Sequence, residues 1–301
     1  MSQNMWIFIA LISFALYAAT NILDKIFREK YVQSNLALTI ISIGRNIPMA
    51  LFIPFVDLGS MRPVDYALVM VVGALSCIMA FTYFSALSLE EVSRVVPFWN
   101  IAPIFVVGLS TVFLNERLTG AQFMAVALLL TGGILISTHL AGLTKMRLSK
   151  AFWLMLISVI MFSCSVIILK YLLGMHPFWS ILVLTSSACV LMMLPILFFK
   201  QARSETMAGL AAIKTGALQL FIGGTVVWYA AFLLYYYAIS KGPVSIIVSM
   251  DGFQSIFLFF YVIVPSLLFP HIFREEITKS SIIQKIIAIG LMCAGLFLLY
   301  L

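Results

Sequence analysis

Arg45 and Asp251 are charged residues deep inside long apolar stretches of the sequence. An arginine in the middle of a membrane-crossing helix costs about 2.5–3.5 kcal/mol, so such side chains must face partners or water rather than lipid. Arg45 could anchor an anion or carboxylate, or it could be a structural charge paired with a fixed carboxylate or with backbone carbonyls. Asp251 could bind an amine, neutralise an arginine or serve in proton coupling, because burial favours the protonated carboxyl.

Our hypothesis for these charges is a pair between Asp251 and an arginine, Arg45 or Arg94, for which a substrate competes. Gly252 follows Asp251 and could loosen the helix there. Unwound backbone at membrane depth is tolerated where it lines a cavity. Arg94 lies near the start of its apolar segment, so its long side chain could instead reach the membrane surface.

Trp99 and Asn100 are candidates because they stand between Pro97 and Pro103. A proline frees a backbone carbonyl one turn earlier and permits a kink. Interrupted helices at corresponding places in two halves of a membrane protein are a pointer to a binding site. We therefore expect Asn100 to face the interior.

Aromatic residues cluster in a later apolar segment. Trp228 and Tyr229 are central in that segment and could stack on a substrate or hold a cation. The run Tyr235-Tyr236-Tyr237, near the segment end, is interpreted as an interfacial anchor. The remaining polar candidates for substrate binding are Tyr17, Asn21 and Gln254.

The elements that position these residues are predicted to be membrane-spanning helices. The chain has 301 residues, of which 63% are apolar and 10% charged, a composition that a water-soluble domain does not have. A spanning helix needs about 20 mostly apolar residues, and the long runs lack the alternation of barrel strands. Ten segments meet the criterion: Met5–Leu23, Leu36–Val56, Tyr66–Leu87, Val92–Leu114, Gln122–Leu140, Ala151–Leu173, Phe178–Phe199, Gly216–Ser240, Pro243–Phe269 and Ile282–Leu301.

The chain also repeats itself. Tyr83–Ser88 is echoed by Tyr235–Ser240, and Glu116–Thr119 by Glu275–Thr278. Five segments fall in each half, and an odd number forces the second copy to insert upside down relative to the first. We predict a first five-helix repeat over residues 1–140, a connecting loop over residues 141–150 and a second repeat over residues 151–301.

The orientation in the membrane follows from the loops. The net charge of +7 lies mostly in loops on one side of the membrane, the side that carries Lys145, Arg147 and Lys150. The positive-inside rule places that side in the cytoplasm and both termini outside. Because the basic residues are a topology signal, they do not predict a nucleic-acid partner.

The chain resembles, over both halves, the EamA family of the drug/metabolite transporter superfamily. The resemblance is strongest from Tyr83 to Thr119, where Ala-Leu-Ser closes one span, a proline-containing span follows, and Asn-Glu-Arg-Leu-Thr opens the next. Lys25 and Arg45 also look like family positions. The second half departs from the pattern, since Asp251 stands where the first half has Trp99. The resemblance implies two inverted five-helix repeats around a central cavity that opens alternately to each side, and it implies cytoplasmic termini, against the charge count.

No catalytic residue, cofactor or metal ligand is predicted. The sequence has no glycine-rich nucleotide loop, no H-E-x-x-H and no G-x-S-x-G motif. The four cysteines share no metal-ligand spacing and are interpreted as packing residues. Glycines at positions 132, 133, 290 and 295 indicate close helix packing.

These observations predict a multi-pass protein of the inner or plasma membrane that is a secondary transporter rather than an enzyme. Its cargo would be a small polar metabolite, anionic or zwitterionic, moved by alternating access through the central cavity. Coupling to protons, with Asp251 as the candidate group, and coupling by substrate exchange both stay open, as do the monomer and the homodimer. The alternative is a sensor or scaffold that keeps the fold without transport.

Overall fold

The computed structural model describes residues 5–32, 34–57, 61–89, 96–137, 150–211, 215–268 and 279–299, and within these ranges the chain forms helices and no strands. The helices up to residue 137 are α1 (Met5–Lys30), α2 (Asn35–Gly44), α3 (Ile47–Ala50), α4 (Pro63–Leu89), α5 (Ala102–Phe113) and α6 (Gly120–Ser137). The later helices are α7 (Lys150–Met175), α8 (Phe178–Met193), α9 (Lys200–Ala211), α10 (Thr215–Lys241), α11 (Val244–Ser249), α12 (Gly252–Leu268) and α13 (Lys279–Leu298). Short 3-10 helices occupy Ile53–Phe55, Val96–Ile101 and Leu194–Phe198.

The protein is an all-α polytopic membrane protein. Among the described residues, seven helical stretches are long and apolar enough to cross a membrane, and three shorter apolar helices accompany them. Large apolar side chains cover the outside, as at Phe55 and Phe198, which are 83% and 89% exposed. Such a surface suits lipid, and helices satisfy their own backbone hydrogen bonds there. The count of ten spans stays a prediction.

Several segments predicted as continuous are interrupted. Leu36–Val56 breaks after Gly44 because Pro48 lacks an N–H and its ring clashes with the carbonyl four residues earlier. Pro243–Phe269 breaks at Met250 and Asp251, directly before Gly252. Phe178–Phe199 tightens into a 3-10 helix at Leu194, beside Pro195. The described part of Val92–Leu114 is likewise a 3-10 helix followed by α5.

The helices of the two halves pack mainly against one another. Helix α1 lies along α10 and also contacts α12, whereas α7 lies along α4 and also contacts α5. Helix α6 packs along α13. Here Gly132 and Gly295 allow the close approach, since a methyl group at Gly132 would meet Ala288 O at 2.9 Å and one at Gly295 would meet Ala125 O at 3.0 Å. The interpretation of these two glycines as packing residues is confirmed.

Contacts between distant parts of the chain define two ends of the helix bundle. At the Glu116 end, Glu116 meets Val244 and Ser245. The fully buried Asp65 also lies at this end, with His176 Nε2 3.1 Å from its carboxylate. At the opposite Glu205 end, Ser34 donates a hydrogen bond of 2.6 Å to Glu205.

We expect Gly73→Ala to destabilise the bundle. A methyl group at Gly73 would lie 2.6 Å from the backbone carbon of Ala188 in α8, and backbone cannot yield as a flexible side chain can. Overpacking of this kind costs about 1–3 kcal/mol. The thermal unfolding midpoint in detergent should therefore fall. Gly108→Ala is the control, since nothing lies within 4 Å of the added methyl group. Equal midpoints for the two variants would contradict this packing.

Candidate functional site

The break between α2 and α3 is held by Tyr229 of α10. The Tyr229 hydroxyl donates a hydrogen bond to the Arg45 carbonyl and accepts one from the Met49 N–H at 3.3 Å. Asn46 Nδ2 donates to the Ile43 carbonyl at 3.1 Å. Backbone groups released by the break thus find side-chain partners, as the interior of a membrane protein requires.

Arg45 is paired with Asp24 of α1. Two guanidinium N–H groups donate to the two carboxylate oxygens, one of them at 3.0 Å, and the guanidinium carbon also lies 5.2 Å from the ring centroid of Phe221. The Arg45 side chain is 6% exposed and that of Asp24 43%. The hypothesis of an Arg45–Asp251 pair is therefore wrong. Asp24 takes that place because it lies on a neighbouring helix at the depth of the α2 break. Arg94 lies outside the described residues.

Asp251 occupies the break between α11 and α12. Its N–H donates to the Val248 carbonyl at 3.1 Å, and its carbonyl accepts from the Gln254 N–H at 2.9 Å. Its carboxyl lies in the neighbourhood of Tyr17 and Tyr235. Asp251 joins none of the ion pairs that the structure shows between described residues.

One face of α1 connects the two acidic residues. Tyr17, Asn21 and Asp24 are spaced i, i+4 and i+7, so they lie on the same side of the helix. The rings of Tyr17 and Tyr235 meet edge to face with centroids 6.0 Å apart. Asn21 is exposed, and Asp24 is partly exposed. This polar face therefore opens toward the Glu205 end, where α1 finishes.

Aromatic rings on α10 continue this lining. Trp228 stacks on Phe232 with centroids 4.8 Å apart, and Phe232 meets Tyr236 at 4.3 Å. Tyr235 and Tyr236 pack against the core, so their interpretation as interfacial anchors is wrong. They turn inward because α10 lies along α1 over its length. Trp228 and Tyr229 lie on the same helix, and Tyr229 serves the α2 break.

The predicted residues of the first half meet Asp251 from the other side. A methyl group at Gly133 would lie 3.2 Å from Asn100 Oδ1 and 3.3 Å from Gly252 Cα, so Asn100, α6 and the α12 start converge. Trp99 packs between Tyr83 and Phe162, at 5.7 and 5.4 Å between centroids. Its role is helix contact.

The Gln254 side chain is partly buried one turn into α12, beside this convergence. The break at Asp251 thus has Tyr17, Asn100 and Gln254 near it. Arg45 pairs with Asp24 instead.

Comparisons with known proteins agree with this architecture. Residues 4–138 match the model of the EamA-like transporter family, which belongs to the drug/metabolite transporter superfamily. Over these residues the chain is similar to the EamA-like transporters. The match confirms the predicted resemblance over these residues. A solved structure described as "Crystal structure of protein" is 14% identical, covers 99% of this chain and 97% of its own, and has a TM-score of 0.68, which is a likeness of fold. No curated protein sequence matches the chain.

At the Glu116 end of the protein, partly buried polar contacts link the ends of several helices. Glu116 accepts hydrogen bonds from Val244 N, Ser245 N and Ser245 Oγ at 2.9, 3.2 and 2.7 Å. Lys170 Nζ donates to the carbonyls of Ile239 and Gly242 at 2.7 and 2.8 Å. A carboxylate thus caps the start of α11 and an ammonium the end of α10.

Sequence reasoning missed Asp24, Glu116 and Lys170 as parts of this machinery. Asp24 lies just beyond the first predicted segment, Met5–Leu23, although its spacing from Tyr17 and Asn21 placed it on their face. Glu116 was noticed only as a member of a repeated motif, and Lys170 was not singled out within its segment. Their positions beside span ends, where helix termini leave unpaired backbone groups, were the available signal.

We expect Asp24→Asn to destabilise the protein more than its exposure suggests. The buried guanidinium of Arg45 would lose its counter-charge, a loss of about 1–3 kcal/mol for a charged hydrogen-bonded group. The double variant Asp24→Leu/Arg45→Met should recover much of the thermal unfolding midpoint, because neither charge is then buried alone. Midpoint losses that simply add across Asp24→Leu, Arg45→Met and the double variant would contradict the pairing.

Proposed function

We propose that this EamA-like protein is a secondary transporter of a small polar solute that carries an amine, zwitterionic or cationic. The observation that supports this most is the position of Asp251 at a helix break, in the neighbourhood of Tyr17 and Tyr235. A carboxylate among aromatic rings is a recognition site for an ammonium group, through charge and through the ring faces.

The Arg45–Asp24 pair bears on the charge of the solute. An anionic or zwitterionic cargo was expected because Arg45, and possibly Arg94, stood against Asp251. Since Asp24 neutralises Arg45, that argument no longer favours a purely anionic solute. A zwitterion keeps its support, with its amine at Asp251 and its acidic group within reach of an amide such as Asn100.

Coupling to protons follows from the same carboxyl. A protonated Asp251 is neutral, and a deprotonated Asp251 binds an ammonium group, so proton and solute compete for one site. A carrier that exposes this site to one face at a time exchanges one for the other. Proton exchange for the solute is therefore the coupling that we propose.

Alternating access is supported by the way the helices pack. The contacts of α1 with α10 and α12 correspond to those of α7 with α4 and α5, which is the relation that two inverted copies produce. The Glu116 end is tied shut, whereas Asn21 and Asp24 are exposed toward the Glu205 end. We propose that this state is open to the Glu205 end and that release of the Glu116 contacts opens the other.

The role of Asp251 in transport is tested in liposomes. We expect the purified protein to take up radiolabelled amine-bearing metabolites when a pH gradient is imposed, and Asp251→Asn to lose the gradient-driven flux at least about tenfold, since the variant carries no exchangeable proton. Asp57→Asn, at an exposed residue outside the cavity, is the matched control.

Full flux in Asp251→Asn with unchanged pH dependence would overturn the proposal. Binding of a metabolite without flux in the unaltered protein would favour a sensor instead. Thermal unfolding of each variant shows whether a lost flux is a lost fold.

The closure of the Glu116 end is tested by hydrogen exchange. In Glu116→Gln the start of α11 loses a charge-assisted acceptor, so amide exchange across Val244–Ser249 should rise about tenfold. Transport should change along with it. Arg117→Gln, at an exposed neighbouring residue, is the control. Unchanged protection of α11 in Glu116→Gln would show that this contact does not hold the end shut.

A further inference from the structure

A cavity of about 790 Å³ lies apart from the Asp251 site, between the start of α2, the end of α4, the 3-10 helix after α8, and α9. Its apolar wall includes Leu36, Phe81, Ile196 and Phe199. Phe81 and Phe199 are also exposed on the outside, at 44% and 70%. The cavity therefore borders the lipid at the Glu205 end, and its volume falls in the range of small-molecule sites.

The polar end of the cavity contains the acceptors Glu205 and Asn35, together with Ser34, Ser85 and Gln201. Glu205 Oε2 accepts from Ser34 Oγ at 2.6 Å, and Oε1 accepts from Gln201 Nε2 at 2.8 Å. These two hydrogen bonds lower the pKa of the Glu205 carboxyl, which lies on α9 outside the spans, so it is ionised at neutral pH. Asn35 Oδ1 lies buried with no donor among the described residues.

An acceptor-rich end selects a ligand with N–H donors. A buried acceptor without a partner costs about 1–3 kcal/mol, which a donor from a ligand recovers. An ionised carboxylate favours a cationic donor and repels an anionic headgroup. A primary ammonium group supplies three N–H donors and a positive charge, whereas a quaternary ammonium group supplies the charge alone.

The apolar wall selects acyl chains in the same way. Phe199 and its neighbours line a cavity open to hydrocarbon, where water finds no partners. Glu205, at the polar end of the same cavity, suits the amine of a lipid headgroup.

We propose that this cavity binds a phospholipid with a primary-ammonium headgroup of the ethanolamine type. The ammonium group lies at Glu205 and Asn35, and an acyl chain lies along Leu36, Phe81 and Phe199. The site is a lipid site of the bundle, and it does not depend on the cargo that the Asp251 cavity takes.

The test uses lipids that differ in the headgroup alone. The full-length protein in detergent is titrated with dioleoyl phosphatidylethanolamine, its mono- and dimethylated derivatives and dioleoyl phosphatidylcholine, and binding is followed by native mass spectrometry and by the unfolding midpoint. We expect affinity to fall stepwise with methylation, by about tenfold from the primary to the quaternary amine, because donors are lost while the chains stay the same. Equal binding of the two end members would overturn the proposal.

Variants and a soluble headgroup complete the test. Glu205→Gln and Asn35→Leu should each reduce the preference for the primary amine at least about threefold, whereas Ser204→Ala, exposed on the same helix, should keep it. Should either variant fold poorly, the methylation series on the unaltered protein decides alone. Soluble phosphoethanolamine should bind far more weakly than the lipid. Equal binding would show that the acyl chains contribute nothing and would overturn the assignment to lipid.

Discussion

The rest of this structure depends on how broken helices are satisfied inside a membrane. Lipid offers no hydrogen bonds, so every carbonyl and N–H that a break releases needs a partner within the protein. At Arg45 that partner is the Tyr229 hydroxyl, which joins the α2 break to the middle of α10. At Asp251 the partners are backbone groups on either side of the break, which leaves the carboxyl to face Tyr17 and Tyr235. The same kind of interruption thus yields a structural position in one case and a candidate binding position in the other.

The difference between the two breaks lies in their charges. Arg45 has a counter-charge on a neighbouring helix, two guanidinium hydrogen bonds and an aromatic ring beside it, so its desolvation is largely offset within the protein. Asp251 has no such partner among the described residues. A buried group that is not compensated is more responsive to a proton or a cation than one that is. That asymmetry, rather than the presence of charge, separates the two positions.

Much of the fold was predictable from the sequence because a membrane leaves few choices. The all-α class follows from long apolar runs, and the glycine contacts between α6 and α13 follow from Gly132 and Gly295. The sequence also indicated how deep Arg45 and Asp251 lie in the membrane, and it indicated that the helix is weakened at Gly252. The partner of Arg45 was not, since a segment pattern gives each residue its depth and face but not the rotation of one helix against another. Tyr235 was misplaced for the same reason: its position near a span end suggested the interface, and only the packing of α1 along α10 turns it inward.

Helix α2 connects the two regions that carry the chemistry. Ser34 precedes its first turn and reaches Glu205 on α9, while Arg45 follows its last turn and reaches Asp24 on α1. This ten-residue helix, held at both ends, therefore links the Arg45–Asp24 pair to the cavity for which we propose a lipid. An occupant of that cavity that prefers one position of α2 therefore biases the Arg45–Asp24 pair, and with it the polar face of α1 that leads to Asp251. By linkage, solute binding that shifts α2 changes the affinity for lipid by the same factor.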